Sequence, residues 1–109
     1  MNTANQRQLY RLPIDRTGKL RRGADTFVCT VIDVTEQGVC LRIDGTFRQG
    51  EELQLEFPLT EAEMLACAIQ VTNRRPSHIG ADIVRMAPDQ QKRLSSFIEQ
   101  LNALNMIGF

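Results

Sequence analysis

Apolar and polar positions alternate along most of this chain, and the alternation predicts strands. Phe27-Val28-Cys29-Thr30-Val31-Ile32 is a β-branched apolar run of the kind that forms a well-buried strand. Val39, Leu41 and Ile43 alternate with Cys40, Arg42 and Asp44, which predicts a half-buried strand. Leu53, Leu55 and Phe57 alternate with Gln54 and Glu56 until Pro58 ends the run. Residues 64–72 predict a further strand, with Ile69 and Val71 inward and Gln70 and Thr72 outward. Ile79, Ala81 and Ile83 alternate with Gly80, Asp82 and Val84 in the last one. Residues 17–22 read as a short first strand with Gly18 and Gly23 marking its ends. Turn compositions separate these runs: Asp33-Val34-Thr35-Glu36-Gln37-Gly38, then Asp44-Gly45, Gln49-Gly50, Thr60-Glu61-Ala62-Glu63 and Asn73-Arg74-Arg75-Pro76-Ser77. Gly38, in the first of these turns, is able to take φ > 0.

The period changes at Pro88. Proline suits the first turn of a helix and Asp89 suits its positive end. Leu94, Phe97, Ile98, Leu101 and Leu104 then follow helical spacing as one apolar stripe. Five or six strands spaced like an antiparallel meander, followed by one amphipathic helix, predict a small β-barrel with a helix docked on it. Residues 1–12 are polar, with only Leu9, Tyr10 and Leu12 as anchors, and Leu12 precedes Pro13, which biases it away from helix. They read as a flexible basic arm. The expected organisation is one domain over residues 1–109: arm 1–16, barrel 17–86, helix 88–104.

Composition agrees with one globular domain: 109 residues, 42% apolar and 24% charged. No apolar run approaches the roughly 18 residues of a membrane helix, and the N-terminus lacks the apolar core of a secretory signal. The expected location is the cytoplasm, without membrane insertion. Cys29, Cys40 and Cys67 form no CxxC pair, and His78 is the single histidine, so no metal site is expected. The cysteines read as small buried hydrophobes of a reduced protein.

The net charge of zero hides a division: residues 1–22 sum to +5, residues 23–66 to −7 and residues 67–109 to +2. Eleven of the thirteen basic residues are arginine. Arginine adds a planar fork that grips phosphates and the O6/N7 edge of guanine. A GC-rich genome would produce the same bias. An enzyme finds little support. There is no glycine-rich phosphate loop, and Ser77, Ser95 and Ser96 lie in a turn and a helix with no base signalled nearby. Glu51 and Glu52 read as solvated charges, and His78 as a structural or surface residue. Binding is the better class, with no catalytic residues and no cofactor.

Two features carry the binding reading. Arg7-Gln8-Leu9-Tyr10-Arg11 is an RxxxR pair in the arm, and Asp33 to Gly38 is a DxTxxG turn between two strands. In order and spacing they resemble the RxxxR and (D/N)xSxxG signatures of the PilZ domain family. The strand Val39-Leu41-Ile43, the segment His78-Ile79-Gly80-Ala81-Asp82-Ile83 and the closing helix resemble the family as well, so the likeness covers residues 7–104. It implies a six-stranded antiparallel barrel with a C-terminal helix, and a bacterial receptor for the second messenger cyclic di-GMP.

The residue types fit that implication. Arg7 and Arg11 suit guanine edges, phosphates and stacking on a base. Asp33 accepts from the guanine N1–H and N2–H, the Thr35 hydroxyl reaches a phosphate or the amine, and Gly38 lets backbone approach the ligand without a Cβ. Each has a plainer reading: the arginines as solvated charges, and Asp33, Thr35 and Gly38 as turn formers. Thr35 stands where the family usually has serine; its extra methyl needs room and stiffens χ1. Gln6, not another arginine, precedes RxxxR. Arg74 and Arg75 are candidates for a third arginine contact. The expected partners are cyclic di-GMP and an effector protein reached through the reordered arm, with no DNA or RNA. A PilZ-like adaptor that does not bind cyclic di-GMP is the alternative. A single-strand nucleic-acid barrel is disfavoured by the −7 of residues 23–66 and the few aromatics.

Overall fold

The computed structural model describes residues 12–107, with side chains for residues 13–103. Six strands and one helix follow in order: β1 Leu12–Arg22, β2 Asp25–Val34, β3 Gly38–Arg42, β4 Glu52–Pro58, β5 Met64–Arg75, β6 His78–Arg85 and α1 Pro88–Ile107. All pairings are antiparallel, and the sheet closes into a barrel in the order β1-β2-β3-β6-β5-β4. This is the expected fold class.

The route of the chain differs from the expected meander. Strand β3 pairs with β6 and β1 pairs with β4, so the barrel consists of two three-stranded units joined at two seams. The cause is the connection of residues 43–51, too long for a hairpin. It carries Ile43 and Phe47, both buried, into the core instead of turning back beside β3. Inward positions of every strand fill the barrel, among them Leu20, Val31, Leu41, Leu55, Phe57, Leu65, Ile69 and Ile79. The helix lies against β1 and β5 and adds Leu94, Phe97 and Ile98 to the same core, with Leu101 partly buried beside them. The side chain of Leu104, the last member of the stripe, lies outside the described residues.

Element boundaries moved in four places. Strand β1 reaches back to Leu12, because Leu12 and Pro13 pair with Val34 and Asp33; the arm expected over 1–16 therefore overlaps the barrel. Gly18 sits inside β1 and does not end it. A Cβ there would lie 2.7 Å from the Glu56 carbonyl oxygen, so glycine lets β4 pass close. The run from Phe27 is only half inward: Cys29 and Val31 are buried, while Val28 is exposed and Ile32 is half-buried. Strand β5 continues to Arg75, which leaves Pro76 and Ser77 as a tight turn.

Arginines hold several of these elements together. Arg16 donates from Nε and Nη2 to the Leu59 carbonyl, each at 3.2 Å, and its guanidinium lies 5.8 Å from the Phe97 ring centroid. Arg22 lies 5.2 Å from the Phe27 ring and 5.1 Å from the Phe47 ring, donates to the Thr46 carbonyl at 3.0 Å and pairs with Glu51 at 3.3 Å. Arg85 pairs with Glu52, and Arg93 with Glu63 and Asp89.

Candidate functional site

Asp33, Thr35 and Gly38 line one cleft of about 220 Å³ on the outer face of the barrel. Asp33 belongs to the end of β2, where it pairs with Pro13 on one side and Cys40 on the other. Thr35 opens the turn. Its Oγ1 accepts hydrogen bonds from the backbone N–H of Gln37 at 3.0 Å and of Gly38 at 2.9 Å. It also donates to the Gly38 carbonyl at 3.4 Å, a long bond. The hydroxyl is thus the organiser of the turn, the local side-chain-to-backbone bonding that threonine favours outside regular elements. The Thr35 N–H closes the turn on the Gly38 carbonyl at 2.9 Å. The Gln37 carbonyl accepts from the Ile83 N–H at 2.7 Å, which ties the turn to β6.

Gly38 is required for a different reason from the one expected. Its φ is not positive; the positive-φ glycines are Gly23, Gly45 and Gly50. It starts β3 opposite Asp82, and a Cβ there would lie 2.8 Å from the Ala81 carbonyl oxygen. The missing side chain lets β3 and β6 meet at the seam.

The seam supplies the other wall of the cleft. Thr72, Asn73 and Arg75 of β5 and Gly80 of β6 line it together with the motif residues and Cys40. Cys40, Gly80 and Asn73 stand in register across β3, β6 and β5. Gly80 removes a side chain from the middle of that row, and a Cβ there would meet the Asn73 amide at 3.0 Å. A groove results between the half-buried Cys40 and the exposed Asn73. Sequence reasoning placed Asn73 in a turn and left Gly80 without a role; the only signal for Gly80 was a glycine inside an alternating strand. Arg75 was a candidate third arginine and does line the cleft.

Arg7 and Arg11 lie outside the described residues. Strand β1 begins at Leu12, opposite Val34 and next to the Pro13–Asp33 pair, so the chain enters the barrel beside the cleft. Arg11 is bonded to Leu12, and Arg7 precedes it by a length of chain that spans at most about 18 Å when extended.

Of the cysteines, two are buried as expected and one is not. Burial pushes the Cys29 thiol up to about 11, against a smaller opposing hydrogen bond at Gly18, and pushes Cys67 up to about 12. Both are therefore inert, neutral thiols at ordinary pH. Cys40 is half-buried at the cleft because it belongs to the outward set of β3. Among the described residues no group of three or more His, Cys, Asp or Glu side chains comes together to hold a metal ion. No helix among them is long and apolar enough to cross a membrane.

A family model described as PilZ domain matches residues 5–100. Among solved structures, the chain is similar to the Bacillus subtilis inhibitor of motility (MotI/DgrA), with a TM-score of 0.74 and 19% identity over 89% of this chain and 52% of that one. It is similar to the PilZ domain of CeSA from a cellulose-synthesizing bacterium, with a TM-score of 0.66 and 11% identity, covering 88% of this chain and 98% of the other. An uncharacterized Legionella protein aligns with a TM-score of 0.58 and 11% identity, covering 89% and 98%. The chain spans about half the length of the Bacillus protein. No curated protein matches it.

Proposed function

The chain belongs to the PilZ domain family, and from that we propose that it is a receptor for cyclic di-GMP that signals to an effector protein. PilZ domains are binding and adaptor modules, and their general ligand is this dinucleotide. The observation that carries the proposal is the single cleft lined by Asp33, Thr35 and Gly38, with the chain that bears Arg7 and Arg11 entering the barrel at its edge. In this reading Asp33 accepts from a guanine, the turn offers backbone and the Thr35 oxygen, and Arg7 and Arg11 close over the ligand from the arm. Arranging the arm costs about 1–2 kcal/mol per fixed residue. Charge-assisted bonds return about 1.5–3 kcal/mol each, so both arginines and the turn have to act together. The repositioned arm and ligand then form the surface an effector reads.

Isothermal titration calorimetry with cyclic di-GMP tests this. The wild-type protein is expected to bind at micromolar concentration or tighter. Arg7→Ala/Arg11→Ala is expected to weaken binding at least about a hundred-fold, as the loss of roughly 2 kcal/mol per arginine requires. Absence of heat from a folded wild-type protein rejects the receptor reading.

One observation favours the second reading, an adaptor that does not bind the dinucleotide. The Thr35 hydroxyl already accepts twice and donates once within its own turn. On that reading the turn is only a structural corner, and the protein acts through its surface.

A further inference from the structure

The register of the barrel places two arginines on either side of a histidine next to the motif cleft. Arg42 of β3 pairs with His78 of β6, and His78 pairs with Arg75 of β5. Directly opposed residues share a face. That face is the outer one, since Leu41 and Ile79, which alternate with Arg42 and His78, are buried in the core. Arg74 stands opposite Ile79, on the other face of β5, and adds a further guanidinium at the rim. Among the described residues the guanidinia of Arg42, Arg74 and Arg75 enter no hydrogen bond or ion pair. The contrast with Arg16, Arg22, Arg85 and Arg93, all engaged, is sharp. Asp44 is the acid at this tip, and its Oδ1 accepts from the Ser77 hydroxyl at 3.4 Å.

The tip is held in place by its own bonds. Ser77 has φ 63°, the left-handed region, in the turn between β5 and β6. Such a conformation costs on the order of 1 kcal/mol in a non-glycine residue, and a bond from the Ile43 N–H to the Ser77 carbonyl at 3.0 Å retains it. The turn thereby fixes Arg74, Arg75 and His78 on the wall of a second cleft of about 410 Å³. Arg75 lines both this cleft and the motif cleft.

We propose that the second cleft is a phosphate-binding subsite. It takes a phosphodiester of a ligand that extends from the motif cleft across Arg75, and the proposal rests on the receptor reading above. Arg74 and Arg75, on its wall, are its donors, and Arg42, opposite His78 at its edge, adds a third. His78 has a different part. Its Nδ1 lies 3.1 Å from the Pro76 carbonyl oxygen, a contact that ties the ring to the turn. The imidazole separates Arg42 from Arg75, whose Cα atoms stand about 10 Å apart across two strand spacings. Two guanidinia at that separation reach an anion from both sides, with the bidentate geometry arginine provides.

The test is the affinity for cyclic di-GMP of the wild type and of Arg42→Gln/Arg74→Gln, two exposed positions outside the motif cleft. The variant is expected to bind about tenfold more weakly or worse, a difference calorimetry resolves. Its affinity is expected to fall less steeply with salt, at an unchanged melting temperature. Equal affinity and equal salt dependence overturn the subsite and leave the receptor reading standing. A wild type that binds no cyclic di-GMP rejects the receptor reading alone, and inorganic pyrophosphate then decides the subsite. Amide shifts confined to residues 42, 74, 75 and 78 on titration with pyrophosphate uphold an anion site; their absence overturns it.

Discussion

Phe47 has arginines on two sides, and the protein uses them in opposite ways. On one side Arg22 lies over the rings of Phe27 and Phe47 and is bonded to Thr46 and Glu51. On the other, Arg74 and Arg75 line the cleft that Phe47 also borders, and neither has a partner among the described residues. Identical chemistry is occupied internally in one place and presented in the other. The difference teaches that an arginine-rich composition is not itself a binding signal. What matters is which guanidinia the fold has already satisfied.

That contrast is open to attack at three further points. The largest expected effect concerns a residue whose whole purpose is internal. Gly38→Ala puts a Cβ against the Ala81 carbonyl, 2.8 Å away, and backbone must move to admit it. The seam between β3 and β6 is expected to lose about 3 kcal/mol, visible as a lower urea midpoint even without ligand. An unchanged midpoint would mean that the seam has slack.

Next comes the arginine pair itself. Arg22→Ala removes two ring contacts and two polar bonds and is expected to cost about 2 kcal/mol of stability. Arg75→Ala is expected to change stability by less than about 0.5 kcal/mol, as an exposed residue without partners should. Thermal unfolding of both variants decides whether the division into occupied and presented arginines is real; equal losses would erase it.

The smallest effect at ordinary pH belongs to the cysteines. Cys29 and Cys67 have thiols raised by burial from 9.0 to about 11 and about 12. A folded-state pKa above the unfolded one favours the folded protein's protonated form, so the associated stability is complete below 9.0. It is lost as pH climbs through 11 and 12. The urea midpoint is expected to be insensitive to these thiols up to pH 9.0 and to fall above it. Alkylation of the native protein is expected to reach half-buried Cys40 before either of them, which mass spectrometry of the modified peptides reports.

Much of the fold was readable from the chain because alternation is a local property. Val39, Leu41 and Ile43 declared their strand, and Leu94, Phe97 and Ile98 their helix, without reference to anything distant. The path through the barrel was not readable in that way. Nothing in the spacing says that β3 will refuse β4 and pair with β6; that outcome depends on Ile43 and Phe47 being buried by the connection between them. The site divided along the same line. Asp33, Thr35 and Gly38 lie within six residues and form a motif. Asn73, Arg75 and Gly80 joined them only through the pairing of β5 with β6 and of β6 with β3. Gly38 shows the limit of local reasoning most clearly: a turn composition suggested φ > 0, whereas a carbonyl more than forty positions away dictates the residue.

The β3–β6 seam has a consequence for how such a protein is made and kept. Both clefts straddle it, so neither exists in a fragment, in a half-translated chain or in a barrel that has opened along that line. A ligand that spans the seam is a clasp on a ring: at a hundred-fold excess over its dissociation constant it adds about 2.7 kcal/mol against opening. On the receptor reading, recognition and closure are then a single event.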